Sequence, residues 1–220
     1  MRNLVYAVVL LMMFSTYNVQ AQDAFELVHF DTEDGGKIEA AYLKADDDTA
    51  VIFAHGAIFN KESWYFLAEA FQKRGISALS IDFGGYNNSK AGNTGKKLYD
   101  ILGAITFLEG KGFSDINIVG GSMGGAAVLG ALSYKNTSIS KVVLLAPAGG
   151  SAIKSRDMDK LFIVSKEEGL YNRVKSIYND SESPKVMKEY SGNAHAQHMF
   201  KTDYADELKA LIIDFITSSN

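Results

Sequence analysis

A five-residue stretch near the middle of the chain, residues 120–124 with the sequence GGSMG, constrains the fold more than any other part of the sequence. An apolar run, 116–119, precedes it, and a run of small and apolar residues, 126–132, follows. The first run is typical of a buried strand and the second of a buried helix, so Ser122 falls at the turn between them. Glycine at positions 120 and 124 relieves the crowding of so sharp a turn and accepts unusual backbone angles.

Such a turn leaves the Ser122 hydroxyl exposed at the N-terminus of a helix, where developing negative charge is favoured. Gly-x-Ser-x-Gly between a strand and a helix is the pattern of a nucleophile elbow, and a glycine-rich turn before a buried helix is the alternative. A dinucleotide-binding fingerprint would need glycine in place of Ser122. A phosphate-binding loop at 90–97 is also excluded, because Lys90 replaces its first glycine and Lys97 its Ser/Thr.

Composition narrows the class of protein further. The 220 residues suffice for one domain with a sizeable core, and 47% of them are hydrophobic. The net charge of -4 and the lack of a basic cluster argue against a nucleic-acid-binding protein. There is no cysteine, which excludes both disulfides and a lipid anchor on an N-terminal cysteine.

The N-terminus has the three-part pattern of a secretory signal peptide. Arg2 precedes an apolar run, 4–14, and the small residues that favour cleavage end at Ala21. We therefore predict a signal peptide at 1–21 and a single mature domain at 22–220, in an exported protein that is periplasmic or secreted. An uncleaved membrane anchor is the alternative, but the run is shorter than the roughly 20 apolar residues that span a bilayer. No stable membrane span is expected after cleavage.

Strand and helix patterns alternate along the rest of the chain. A hairpin is expected where Asp34-Gly35-Gly36 joins two short apolar runs. The alternation predicts an α/β fold with a mostly parallel central sheet and this antiparallel N-terminal hairpin at one edge. The expected strands are 25–30, 38–43, 50–54, 76–83, 116–119, 141–145, 161–164 and 185–190, and the expected helices are 61–73 (capped by Asn60), 97–109, 126–132 and 203–217.

The order of these motifs resembles the α/β-hydrolase superfamily, near its dienelactone-hydrolase-like and lidless serine esterase branches. The resemblance covers nearly all of 22–220 and rests on His55-Gly56 after the third strand, on the elbow at Ser122 and on GNAH at 192–195. It implies an α/β-hydrolase fold with helices on both faces of the sheet. It also implies no sizeable cap domain, because only about a dozen mostly polar and small residues stand at 147–159, where many relatives insert one.

The resemblance implies a catalytic triad in the order Ser, acid, His. It makes Ser122 the nucleophile and His195, in a loop after the last strand, its general base, with His198 as the competing histidine. The acid falls at Glu168, where relatives usually have aspartate. Glu167 is the alternative acid, and two solvated loop carboxylates are the alternative to any acid at this place.

The resemblance also assigns an oxyanion hole to the backbone N–H groups of Ala57 and Met123. His55 is expected to be a structural residue of the turn. Ile58 and Phe59 are candidates to line an acyl or alcohol pocket, whereas Trp64 is expected in the core.

The expected function is therefore an exported carboxylic-ester hydrolase that acts on a small-molecule ester or acyl substrate through an acyl-enzyme intermediate. No metal or organic cofactor is implied, since the pair His195 and His198 lacks a third ligand nearby. Alternatives are a peptidase, a thioesterase or a dienelactone-type hydrolase of the same fold. A non-catalytic binding protein that retains the fold is the alternative from another class. Nothing in the sequence predicts an oligomeric state.

Overall fold

One eight-stranded sheet organises the fold in the computed structural model, which describes residues 25–218. The predicted signal peptide, 1–21, lies outside these residues. The strand order is β1-β2-β4-β3-β5-β6-β7-β8. β1 and β2 form the antiparallel hairpin, β2 also pairs antiparallel with β4, and every later pairing is parallel. The strands are β1 (Glu26–Asp31), β2 (Lys37–Leu43), β3 (Thr49–Ala54), β4 (Ser77–Ile81), β5 (Asp115–Gly121), β6 (Ile139–Leu145), β7 (Asp159–Ser165) and β8 (Lys185–Tyr190).

Within residues 25–218, five α-helices surround this sheet, so the predicted α/β class and the mostly parallel sheet are confirmed. They are α1 (Tyr65–Gln72), α2 (Leu98–Gly110), α3 (Met123–Tyr134), α4 (Tyr171–Asp180) and α5 (Ala205–Thr217). Two short 3₁₀ helices, Lys61–Trp64 and Ala196–Lys201, add to them. Among residues 25–218, no helix is long and apolar enough to cross a membrane.

The central strands are continuous apolar runs because both faces of the sheet are covered. Every residue of β4 is buried, and only the first residue of β3 and of β5 is not. The edge strand β1 has one buried residue, Val28, and its neighbours are partly or fully exposed. Helix α4 was not predicted; its two buried residues, Val174 and Ile177, stand at helical spacing, but most of its other residues are polar.

The predicted helix at 61–73 begins as a 3₁₀ turn and becomes α-helical only at Tyr65. Asn60 caps it as expected, because its Oδ1 accepts a hydrogen bond from the N–H of Glu62 at 3.0 Å.

Strained backbone collects at the carboxyl edge of the parallel strands. Ser122 follows β5, Ala146 follows β6, and Ala196 lies in the loop after β8, and all three have positive φ. Carboxyl ends of parallel strands meet at one edge of a sheet, which is where ligands bind in open α/β folds. Positive φ in residues with a Cβ persists only where the surrounding structure holds it, and it concentrates at functional sites.

Close packing at Gly124 holds the first turn of α3 against the end of β3. A Cβ at this position would overlap the carbonyl oxygen of Ala54 and would lie 2.8 Å from that of His55. The helix therefore approaches the strand as closely as two backbones allow. Gly130, in the same helix, is different, because a Cβ there would meet only the side chain of Leu98, at 3.4 Å.

We therefore expect Gly124→Ala to lower the free energy of unfolding by about 1–3 kcal/mol, the usual effect of overpacking. Gly130→Ala is the matched control and should raise it, by up to about 1 kcal/mol, because alanine is the better helix former. Urea denaturation of both variants measures the difference. Equal stability of the two would contradict the close approach at Gly124.

Asp100 is a buried carboxyl in the first turn of α2. Burial raises its pKa to about 6, although the hydrogen bond from the Gly84 N–H and the charge of Lys97 oppose the rise. The folded state therefore holds the proton more tightly than the unfolded chain. Tighter binding of this proton stabilises the folded state. The stabilisation is complete below the ordinary carboxyl pKa of 3.8 and is lost as the pH rises through about 6.

Asp100→Asn should accordingly stabilise the protein at about pH 8 by about 1–3 kcal/mol, because it keeps an acceptor for Gly84 and removes the buried charge. Near pH 4 the gain should shrink toward zero. Thermal unfolding across this range, with the exposed Asp31→Asn as control, measures it. A gain that is independent of pH would refute the raised pKa.

Candidate active site

Ser122 occupies the sharp turn between β5 and α3, with φ 50° and ψ -113°. Its N–H donates to the carbonyl of Leu145 at 2.9 Å, and its own carbonyl accepts from the N–H groups of Ala126 and Ala148 at 3.0 Å each. The strained turn is therefore held from β6 on one side and from α3 on the other. The Ser122 side chain is left half-buried at the carboxyl edge of the sheet.

Ser122, His195 and Glu168 lie in one hydrogen-bonded line. The Ser122 Oγ is 2.8 Å from Nε2 of His195, and Nδ1 of His195 bonds to Oε2 of Glu168. His195 comes from the loop after β8, and Glu168 comes from the loop after β7. The glutamate is only 8% exposed, so its carboxylate faces the histidine in a largely dry setting. A buried carboxylate on Nδ1 fixes the orientation of the ring and leaves Nε2 facing the Ser122 hydroxyl.

The alternative acid, Glu167, and the alternative base, His198, take no part in this line of hydrogen bonds. Glu167 is exposed, and its backbone N–H donates to the Gly192 carbonyl at 3.0 Å. His198 packs its ring on Phe59, with the ring centroids 5.1 Å apart. Within residues 25–218, neither side chain hydrogen-bonds to Ser122 or His195.

The two N–H groups assigned to an oxyanion hole belong to residues near Ser122. Met123 follows it in the chain, and Ala57 follows Gly56, which packs against it. Met123 is the first residue of α3, where backbone N–H groups have no partner inside the helix. Ala57 is exposed in the loop 55–60, which follows β3. Within the described part of the chain, neither N–H donates to a protein acceptor. Both groups are thus free to bind an anionic oxygen beside Ser122, and the dipole of α3 adds to their effect.

His55 supports the start of the loop 55–60 from inside the protein. It is fully buried, its Nδ1 donates to the carbonyl of Gly56 at 2.8 Å, and its Nε2 accepts from the N–H of Phe83 at 3.2 Å. Burial lowers the pKa of His55, although the bond to Gly56 and the charge of Asp82 act against it. A neutral ring with both nitrogens engaged in this way holds the turn.

A buried ionic cluster supports the other end of the loop 55–60, and the sequence analysis missed it. Lys61 is 5% exposed, and its Nζ lies 2.9 Å from Oε1 of Glu39 and 2.5 Å from Oδ2 of Asp82. Burial alone would lower the pKa of Lys61, but the hydrogen bonds to Asp82 and Glu39 outweigh it and raise this pKa. The sequence signal was present, because each of the two carboxylates interrupts an expected apolar strand.

Tyr86 is a second feature that the sequence analysis missed. Its hydroxyl donates to the carbonyl of Ala57 at 2.8 Å and lies 3.6 Å from the sulfur of Met123. Its ring packs edge-on against His55. One side chain therefore contacts both residues that the resemblance assigns to an oxyanion hole. No local motif marks this tyrosine, which belongs to a polar loop after β4.

The surface around Ser122 is open and partly apolar. Ile58 is 78% exposed and Phe59 is half-buried, whereas Trp64 lies in the core, as expected for it. The segment 147–158 contains no helix that could cover the site. Within residues 25–218, no group of three or more His, Cys, Asp or Glu side chains is arranged to hold a metal ion.

Comparison with known proteins identifies the family. The family described as "alpha/beta hydrolase fold" matches residues 49–201, which is more than half of the chain. The protein therefore belongs to the α/β-hydrolase family, as the resemblance in its motifs predicted. No protein of curated function matches the sequence significantly.

Several solved structures share the fold at low sequence identity. An esterase from Exiguobacterium antarcticum is similar with a TM-score of 0.71 and 14% identity, over 87% of this chain and 99% of that one. An esterase from Pyrococcus furiosus gives 0.72 and 18%, over 87% and 89%. An alpha-beta serine hydrolase homologue from Coxiella burnetii gives 0.68 and 18%, over 86% and 96%. At identities this low, the structural similarity shows that these proteins share the fold.

The ionic cluster gives a direct test of how the loop 55–60 is held. Lys61→Met should lower the free energy of unfolding by about 3–5 kcal/mol, because it leaves two buried carboxylates without their cation. Lys37→Met is the matched control and should be nearly silent, since Lys37 pairs with Asp31 at 3.9 Å on the exposed surface. Chemical denaturation of both variants measures the effect. A loss of unfolding free energy for Lys61→Met no larger than that of the control would show that the cluster does not support the loop.

Proposed function

We propose that this protein is an exported serine hydrolase that cleaves carboxylic esters through an acyl-enzyme intermediate. The observation that carries the proposal is the line from Ser122 through His195 to Glu168, with hydrogen bonds on both ring nitrogens. A serine hydroxyl is a weak nucleophile until an adjacent base takes its proton, and this line supplies the base and the group that orients it. Structural neighbours with the names esterase and serine hydrolase homologue agree with the proposal.

In the first half of the reaction, Ser122 Oγ attacks the ester carbonyl while its proton passes to Nε2 of His195. The charge of Glu168 stabilises the imidazolium that forms. The carbonyl oxygen becomes an oxyanion, which the N–H groups of Ala57 and Met123 bind. As the tetrahedral intermediate collapses, His195 returns its proton to the alcohol oxygen, and the acyl group remains on Ser122.

In the second half, water replaces the alcohol. His195 takes a proton from the water, whose oxygen attacks the acyl-enzyme carbonyl, and the same two N–H groups bind the second oxyanion. Collapse releases the acid and returns the proton to Ser122 Oγ.

The substrate we propose is a small ester or acyl compound with an apolar part. Exposed Ile58 and half-buried Phe59 stand beside Ala57, so an apolar chain bound there would lie next to the reacting carbonyl. A panel of p-nitrophenyl esters of graded acyl length, assayed on the mature protein, tests this substrate class. The proposed export rests on the signal-peptide pattern of residues 1–21, and N-terminal sequencing of the protein from its native host tests the cleavage after Ala21.

Removing the Ser122 hydroxyl tests the nucleophile. Ser122→Ala keeps the Cβ, so the backbone strain at this turn is unchanged and the protein should fold. Ester hydrolysis should fall by a factor on the order of 10⁴–10⁶, as in other hydrolases that lose a triad member. A fluorophosphonate probe should label the wild type and leave this variant unlabelled. More than a tenth of the activity remaining would remove Ser122 from the nucleophile role.

Replacing each glutamate in turn tests the acid. Glu168→Gln should lower kcat by about 10²–10⁴-fold with little change in KM, because the carboxylate matters most when the imidazolium forms. Glu167→Gln is the matched control and should leave kcat within about twofold of the wild type, since its side chain is exposed and away from His195. Steady-state kinetics of both variants decide the point, and the reverse pattern would make Glu167 the acid.

A further inference from the structure

We propose that Gln197 is a positioning residue that fixes the loop 55–60 relative to His195, so that the Ala57 N–H faces the oxyanion. The inference deepens the proposed function and rests on it. Gln197 is 4% exposed and lies two residues beyond His195. Its side-chain amide crosses from the histidine loop to the loop after β3, and the two loops are far apart in the chain.

The oxygen of the amide holds the beginning of the loop. Gln197 Oε1 accepts the N–H of Gly56 at 2.9 Å. It occupies a niche that exists only because two neighbouring residues lack side chains. A Cβ at Gly56 would lie 2.9 Å from this oxygen, and a Cβ at Gly121 would lie 2.8 Å from it. Gly121 precedes Ser122 and Gly56 precedes Ala57, so the position of Oε1 is defined by the backbone beside both residues.

The nitrogen of the amide holds the end of the loop. Gln197 Nε2 donates to Ser63 Oγ at 2.7 Å, and the Ser63 hydroxyl in turn donates to the carbonyl of Asn60 at 2.6 Å. One neutral side chain is therefore bonded toward both ends of the loop 55–60. Because this amide is buried and bonded at both its oxygen and its nitrogen, the loop cannot shift far without breaking one of these two hydrogen bonds.

These bonds set the direction of the Ala57 N–H. The Gly56 N–H is held by Gln197, and the Gly56 carbonyl accepts from His55 Nδ1 at 2.8 Å and from the Phe59 N–H at 3.0 Å. The Gly56 carbonyl and the Ala57 N–H belong to one planar peptide unit, in which they point in opposite directions. Fixing the carbonyl therefore aims the N–H. Gln197 fixes the preceding peptide unit, which shares the Gly56 Cα with this one, so it acts on the Ala57 N–H through Gly56 and without touching the substrate.

The test is Gln197→Met, which keeps the approximate size and removes both hydrogen bonds. Loss of a whole oxyanion donor lowers kcat by about 10²–10³-fold, so a misdirected Ala57 N–H should lower it by roughly 10–100-fold, with KM nearly unchanged. Amide hydrogen exchange at Gly56, whose N–H donates to Gln197, should accelerate. The control is Gln72→Met, in which an exposed amide loses its bond to the Lys44 carbonyl, and which should change neither quantity.

Ser63→Ala serves as the second variant, in case Gln197→Met does not fold. It removes only the partner of Nε2, so we expect a smaller fall in kcat, by about 3–10-fold, again with KM nearly unchanged. In the double variant the two effects should not add, because Ser63 acts through the same amide. A purely structural role would instead lower the melting temperature and leave the kcat of the folded protein unaltered.

The outcomes separate the two proposals. A wild-type protein that neither hydrolyses esters nor reacts with a fluorophosphonate overturns the proposed function, and the inference about Gln197 with it. An active wild type, with both variants within twofold of its kcat and with unchanged exchange at Gly56, overturns the inference about Gln197 alone. An active wild type whose variants lose kcat while KM and the control stay constant supports both.

Discussion

The arrangement of the site depends on the close contact between the first turn of α3 and the end of β3. Gly124 lies directly against the carbonyl groups of Ala54 and His55. Because these two backbones touch, the residues that follow β3 stand beside the residues that begin α3. Ala57 and Met123 are thereby brought close enough for the Tyr86 hydroxyl to contact both, although they stand 66 positions apart in the chain.

A loop in such a place needs support, because a mobile N–H cannot be preorganised for a developing charge. The loop 55–60 has support of three kinds. His55 and Gln197 hold Gly56 by hydrogen bonds, and the Tyr86 hydroxyl holds the Ala57 carbonyl. Lys61, the first residue after the loop, is fixed by the ion pairs of its buried ammonium group. The only charges among these supports are in the Lys61 cluster, where the cation is paired with two carboxylates.

Much of the fold could be predicted from the sequence because its signals are local. Continuous apolar runs indicate strands that are buried on both faces, and the elbow is a property of five consecutive residues. The order of the motifs also located the residues of the candidate site, through the family resemblance. Helix α4 was missed although Val174, Ile177 and Tyr178 stand at helical spacing, because most of its other residues are polar and only two of its residues are buried.

The supports of the loop 55–60 could not be predicted in this way. Gln197 meets Gly56 across 141 residues, and Lys61 meets Glu39 and Asp82 across 22 and 21. Such pairs depend on strand order and on a backbone turn at Ala196 with positive φ, neither of which leaves a pattern in the sequence. Polar residues that interrupt apolar strands were the one signal available, and only for the carboxylates of the cluster.

The short, helix-free connection between β6 and β7 has a consequence for the acyl-enzyme that we propose on Ser122. Enzymes that close a lid over the intermediate exclude bulk water and can choose a different acceptor. Within the described chain this connection forms no helix that could cover Ser122, so in the proposed reaction water competes for the acyl group throughout. The proposed acyl-enzyme would therefore favour hydrolysis over acyl transfer to a second alcohol, without a lid-opening step in its turnover.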